Sequence, residues 1–141
     1  MGNAFEYAID HALMTKHDYP FVGHTEGFCH QNPDIAEASI ASYVNIIPNN
    51  VEQLKIAVSQ GPVTAAISSS DPAFLFYSGG IIHEGTCNDL LDYAVTIVGY
   101  DKTDDGEEYW IIKNSMGTSW GDFGFAKIAI TEGVGVCGIN E

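Results

Sequence analysis

The chain has 141 residues, 45% of them hydrophobic, which suffices for one compact domain with a core and is too apolar for a disordered chain. Nineteen acidic residues stand against five lysines, giving a net charge of −14, so nucleic acid and anionic membrane faces are excluded as partners by repulsion. No run approaches the roughly 18 to 20 apolar residues of a membrane helix, and the start lacks the basic-then-apolar pattern of a signal peptide.

In chain order, Ala4, Phe5, Ala8, Ile9, Ala12 and Leu13 recur at spacings of three and four, which predicts a helix over residues 2–14 with one apolar stripe. From Thr15 to Pro33 the pattern breaks into a loop punctuated by Asp18, Pro20, Gly23, Gly27 and Pro33. Residues 39–47, rich in β-formers from Tyr43 to Ile47, read as a strand. Asn49 or Asn50 then caps a short helix that buries Leu54, Ala57 and Val58 and stops at Gly61-Pro62. Five strand-like runs follow: Val63–Ser68, Gly80–Ile82, Ala94–Tyr100, Glu108–Lys113 and Gly124–Ile130. Gly, Asn and Asp turns separate them, and Asp101–Glu107 forms a charged hairpin tip. The second half is thus a small antiparallel β unit.

Cys29, Cys87 and Cys137 are an odd set without metal-type spacing, so one pair plus one orphan is the simplest account. His11, His17, His24, His30 and His83 match no ligand motif and read as loop histidines. His83, placed before Cys87, is the best of them for any residual chemistry. No metal and no cofactor is expected.

The segment from Lys113 through Asn114, Ser115, Met116, Gly117, Trp120 and Gly121 to Gly124-Phe125 resembles the Lys-Asn-Ser-Trp-Gly-x-x-Trp-Gly-x-x-Gly-Tyr block of papain and the cathepsins. Gly61-Pro62-Val63, Tyr77-Ser78-Gly79-Gly80-Ile81 and Leu91-Asp92-Tyr93-Ala94-Val95 follow that family in the same order, and the resemblance covers nearly the whole chain. It implies an α+β papain-like cysteine proteinase fold. Residues 1–44 would be the C-terminal part of the helical lobe, and 45–141 the antiparallel β-barrel lobe. The upstream portion that carries the nucleophilic cysteine is expected to lie outside this chain. By the same resemblance Cys87 and Cys137 form the β-lobe disulfide. Cys29 matches a cysteine whose partner lies upstream, so here it is expected to be unpaired, as in a truncated chain.

The family's chemistry needs a thiolate, an imidazolium beside it and donors for an oxyanion. At the position resembling the catalytic histidine stands Tyr93, and a phenol ionises near pH 10 where an imidazole does so at about 6.5. The base that activates the thiol and the cation that lowers its pKa are lost together. Asn114 matches the residue that orients the histidine, and Met116 replaces the tryptophan that shields the pair. Ala66, Leu91, Asp92, Ala94, Met116 and Trp120 match positions around the substrate groove, although small residues at strand ends also simply pack a barrel. The chain is therefore expected to be part of a cysteine peptidase that is inactive alone, with a non-catalytic, peptide-binding or structural pseudo-peptidase as the alternative. The expected partner is the cysteine-bearing helical portion, or another protein covering the same face, with a peptide as a possible ligand. The implied location is lysosomal, vacuolar or secreted.

Overall fold

The computed structural model describes residues 1–25, 27–83, 87 and 90–141. These fall into two compact units, Met1–Asn45 and Ile46–Glu141.

The first unit holds one helix, α1 (Gly2–Asp10), and a single 3-10 turn at Pro33–Ile35. The expected helix over 2–14 ends early, because His11 is extended and Leu13 commits its backbone elsewhere. Leu13 donates its N–H to the Ala38 carbonyl at 2.6 Å and accepts from Glu37 and Ala38. Those bonds replace the last turn of helix that Ala12 and Leu13 were expected to extend. Phe5 stacks on Tyr43 with centroids 5.4 Å apart, and the Tyr43 hydroxyl donates to Glu6. Among the described residues of this unit only Ala8 is buried, and half of the apolar stripe, Ala4, Ile9 and Leu13, is exposed.

The strand expected over 39–47 does not form. Within this stretch and its approach, Ala38 alone makes a bridge, to Leu13. Val44 is 87% exposed and Ile47 59%. β-formers gain from packing against a neighbouring strand, and none lies beside these.

The second unit is built on α2 (Val51–Gln60), β1 (Val63–Ile67), a short α3 (Pro72–Leu75), β2 (Tyr93–Lys102), β3 (Glu108–Lys113) and β4 (Phe125–Ala129). The Asn50 side chain accepts from the Gln53 N–H, which satisfies one of the orphan donors at the start of α2. The four strands form one antiparallel sheet in the order β1-β2-β3-β4. The expected Gly80–Ile82 strand is reduced to one parallel bridge from Ile82 to Ile128, because only Ile82 exchanges backbone bonds with β4. The hairpin tip tightens to Thr103–Glu107, closed by the Thr103 N–H on the Glu107 carbonyl at 2.9 Å.

Alternation along the strands sends Ile67, Ile97, Trp110, Ile112 and Ile128 inward, where they meet Leu54 and Val58 of α2 and Phe74 of α3. Cys137, joined to Cys87, belongs to the same core. Among the described residues no helix is long and apolar enough to cross a membrane. The site below depends on two consequences of this layout: β2 begins at Tyr93, opposite Ile67 of β1, and β3 ends one residue before Asn114.

Candidate functional site

Tyr93 and Asn114 meet where β2 starts and β3 stops. The Tyr93 hydroxyl donates to Asn114 Oδ1 at 2.9 Å and lies 2.8 Å from Ser115 Oγ. A phenol has one proton, so with that proton on Asn114 the Ser115 hydroxyl donates to the Tyr93 oxygen. Asn114 Oδ1 also accepts the Ser115 backbone N–H at 2.6 Å. That N–H requires an acceptor, which fixes the amide with its oxygen toward Tyr93 and its nitrogen away. Asn114 is 8% exposed, its own N–H donates to the Gly124 carbonyl at 2.9 Å, and its Nδ2 is buried without a hydrogen-bond partner.

The ring of Tyr93 meets Phe74 edge-on, with centroids 6.0 Å apart, and Phe74 also touches Trp120 at 5.0 Å. The Trp120 indole N–H is shared between the Phe74 and Leu75 carbonyls at 3.2 and 3.1 Å. Trp120 is 8% exposed and sits in the core cluster, with its ring packed against Phe74 and Tyr77. Met116, at the position resembling the shielding tryptophan, is 39% exposed.

The turn that carries Trp120 back to β4 depends on Gly121. Its φ is +59°, and an added Cβ would sit 2.5 Å from the Phe125 carbonyl oxygen and 3.1 Å from the Tyr77 ring. Gly121→Ala is expected to cost about 1–3 kcal/mol in urea unfolding, because neither the backbone conformation nor the neighbouring backbone can yield. An unchanged unfolding midpoint would show that the turn relaxes.

Of the other groove residues, Ala66 and Ala94 are direct cross-strand partners, and half-buried Leu91 packs against Gly138. Asp92 accepts the Ser69 N–H at 2.7 Å, and this backbone bond, with the Ser69 side chain, holds its carboxyl below the usual range. At the other end of the sheet Lys55 sits 2.9 Å from Glu108, whose carboxyl it lowers in the same way. Both carboxylates bind protons more weakly folded than unfolded. Each therefore adds stability above its ordinary range near pH 4, and that share drains away as pH falls through the lower folded value. The urea midpoint is expected to drop on acidification through and below pH ~4, with a shallower drop in Asp92→Asn. Identical slopes would remove Asp92 from the account.

His83 is not near this site. Its Nδ1 lies 3.2 Å from Glu107 at the β2–β3 hairpin, the opposite end of β3 from Asn114, so its candidacy for residual chemistry is corrected. His11 bonds the Tyr7 carbonyl, His24 the Val22 carbonyl, and His17 lies beside Asp18. His30 meets Phe28 at a tilt and Tyr19 edge-on. The described residues contain no group of three or more metal-ligating side chains. Cys29 is free and exposed, with the Tyr19 hydroxyl 3.9 Å from its sulfur.

Two participants escaped the sequence. Ser115 follows Asn114 directly in the sequence, so a hydroxyl within reach of position 93 was there to find. The Ser69 amide, 23 residues from Asp92, left no local signal.

All 141 residues match the profile of the papain family cysteine protease. The chain belongs to the papain family of cysteine proteases. It is 41% identical to a cathepsin L-like peptidase of Aedes aegypti over 132 residues, covering 92% of this chain and 39% of the relative. It is 38% identical to cathepsin L of Sarcophaga peregrina over 142 residues, covering 99% and 41%. Among solved structures it resembles the bromelain protease of Ananas comosus bound to the E64 inhibitor, with TM-score 0.83, 31% identity and coverage of 97% and 64%. It also resembles the ragweed pollen allergen Amb a 11 in its proform, with TM-score 0.86, 31% identity and coverage of 97% and 38%. The chain spans about two fifths of the length of the curated relatives it matches. The papain-like α+β assignment follows, with the helix-poor first unit and the antiparallel sheet as its two parts.

Proposed function

We propose that this chain is the asparagine-bearing part of a papain-family fold, with residues 1–44 and 45–141 as portions of its two lobes, and that it does not hydrolyse peptide bonds by itself. The observation that carries this is the Tyr93 hydroxyl donating to Asn114 Oδ1 at 2.9 Å. That oxygen is the acceptor an imidazole N–H would take in the arrangement the family resemblance implies, and a phenol occupies it instead. A neutral phenol supplies neither the base that takes a thiol proton nor the cation that steadies a thiolate. The three cysteines offer no replacement: Cys87 and Cys137 are joined, and Cys29 lies in the first unit with the Tyr19 hydroxyl on its sulfur.

The pseudo-peptidase alternative has a specific observation in its favour. Tyr93 spends its proton on Asn114 and accepts from Ser115, so both hydroxyls and Asn114 Oδ1 are engaged with one another. A site that has lost only its proton carrier would leave them open. Here the two hydroxyls and Asn114 Oδ1 tie β2 to the loop after β3. The partner on this reading is the cysteine-bearing helical portion of the fold, and a peptide held without cleavage is the ligand. The disulfide points to an oxidising route, ending in a lysosome, a vacuole or outside the cell.

The test is to mix the chain with a separately produced segment carrying the family's cysteine signature. Complex formation is followed by sedimentation, turnover with a fluorogenic peptide, and thiolate formation with an electrophilic probe. Complex formation without turnover supports the proposal. Turnover that needs Tyr93 overturns it.

A further inference from the structure

The hairpin end of the sheet carries a cleft of about 500 Å3. Its polar lining is His83, Glu107 and Glu108, and its apolar lining is Ala129 and Ile130, with Thr131 beside them. Asn114 follows the other end of the six-residue β3, about 20 Å away at about 3.3 Å per residue, so this cleft is separate from the Tyr93 site.

The charges around it are unevenly balanced. Glu108 has Lys55 at 2.9 Å and Lys102 at 3.9 Å. Glu107 has His83 Nδ1 at 3.2 Å, which is a cation only when protonated. Asp101, Asp104 and Asp105 add three carboxylates to the same hairpin, so it holds five acids against Lys102 and the Lys55 paired with Glu108. Thr131 Oγ1 is buried without a hydrogen-bond partner, leaving its bonding capacity unused.

These features select among ligand classes. An anion meets net negative charge on entry. A divalent metal needs several ligating side chains gathered together, and the described residues gather no such group of three. A purely apolar molecule would cover the Glu107 carboxylate and strip the water from its charge. A cation on a short apolar stem fits the acid and the apolar wall: its head takes Glu107 beside His83 and its stem lies along Ala129 and Ile130, as lysine and arginine stems do on apolar surface.

We propose that this cleft binds an alkyl guanidinium or ammonium group, presented by a free amine or by an arginine or lysine side chain of another protein. The inference is independent of what Tyr93 does.

The test follows the amide NMR signals of Gly106, Glu107 and Thr131 in the full chain at low salt. Three probes are titrated: agmatine, n-butylurea, which keeps the four-carbon stem and lacks both of agmatine's positive charges, and a capped Gly-Arg-Gly peptide. Agmatine is expected to give saturable shifts that shrink with added salt, while n-butylurea gives none. Glu107→Gln weakens agmatine about five-fold, the scale of one exposed charge pair. Lys102→Ala shifts affinity the other way, because it frees Glu108 charge, and so guards against a Glu107 variant that merely unfolds the hairpin. Tighter binding of the peptide than of agmatine identifies a protein partner, and the reverse a small amine. Equal shifts with n-butylurea, unchanged affinity in Glu107→Gln, or no shift up to about 10 mM agmatine overturns the proposal.

Discussion

Tyr93→His in this chain, assembled with a segment carrying the family's cysteine signature, is expected to raise peptide hydrolysis roughly 10²- to 10⁴-fold over the same assembly with Tyr93, the usual worth of a positioned proton carrier. The gain is expected from one substitution because Asn114 does not depend on Tyr93 for its orientation. The Ser115 N–H holds Oδ1 at 2.6 Å and the Gly124 carbonyl holds the Asn114 backbone, whichever residue stands at 93. An imidazole placed there finds its acceptor already aimed. The pH dependence is diagnostic: hydrolysis by the variant should track an imidazole–thiol pair, and an electrophilic thiol probe should label the partner's cysteine faster than in the Tyr93 assembly. Met116 sets a ceiling, since it shields the pair from water less well than the family's tryptophan, and Met116→Trp in the same background should add to the rate. Tyr93→Phe separates chemistry from structure. It removes the bonds to Asn114 and Ser115 without adding a base, so it should lower stability by about 1 kcal/mol and leave turnover at background. Substantial turnover by the Tyr93 assembly that Tyr93→Phe abolishes would mean that the phenol moves protons, and the proposal would fall.

Much of the sheet was legible because strand runs bounded by Gly, Asn and Asp are local signals. Glu108–Lys113 is found with both ends where the residues put them, and α2 starts at the Asn50 cap. Reading failed where an element's fate depends on a partner remote in sequence. Residues 39–47 have strand composition and no strand beside them, and α1 stops early because Leu13 finds Ala38, 25 positions on. The site was legible in the same divided way. The Lys-Asn-Ser block and the Asp92-Tyr93-Ala94 run named the two residues that lie 2.9 Å apart, although they are 21 positions apart in the chain. Which way each points was not written in the block. Ser115 could be read as a spacer until its hydroxyl met the phenol. Trp120 gave no sign of its partners, and its indole N–H finds the Phe74 and Leu75 carbonyls about 45 positions away. His83 shows the converse. Proximity in sequence to Cys87 suggested proximity to the chemistry, yet the bridge of Ile82 to β4 carries it to the hairpin end.

Removing the Cys87–Cys137 bridge with a Cys87→Ala, Cys137→Ala double substitution is expected to lower unfolding stability by about 4 kcal/mol, the chain-entropy value for a loop of this length. The two cysteines are 50 positions apart, and the loop they close contains β2 and β3, the two central strands. Without the bridge the unfolded chain regains freedom over the part of the sequence that must be ordered for the sheet to form. A second loss adds to this. Cys137 is 5% exposed among Ile67, Val136 and Ile139, and its carbonyl accepts the Ser68 N–H at 2.8 Å, which ties the C-terminal turn to the end of β1. Freeing Cys137 loosens that tie, and Tyr93, the cross-strand partner of Ile67, begins the strand next to it. The same variant should therefore show faster amide exchange at Ser68, Asp92 and Tyr93 than at Trp110 or Ile112, which lie deeper in the sheet. Urea unfolding of the variant against the oxidised parent measures the first effect, and residue-resolved exchange the second. A loss under about 1 kcal/mol with uniform exchange would show that the core holds this turn without the bridge, and that the Tyr93 end of the sheet does not depend on it.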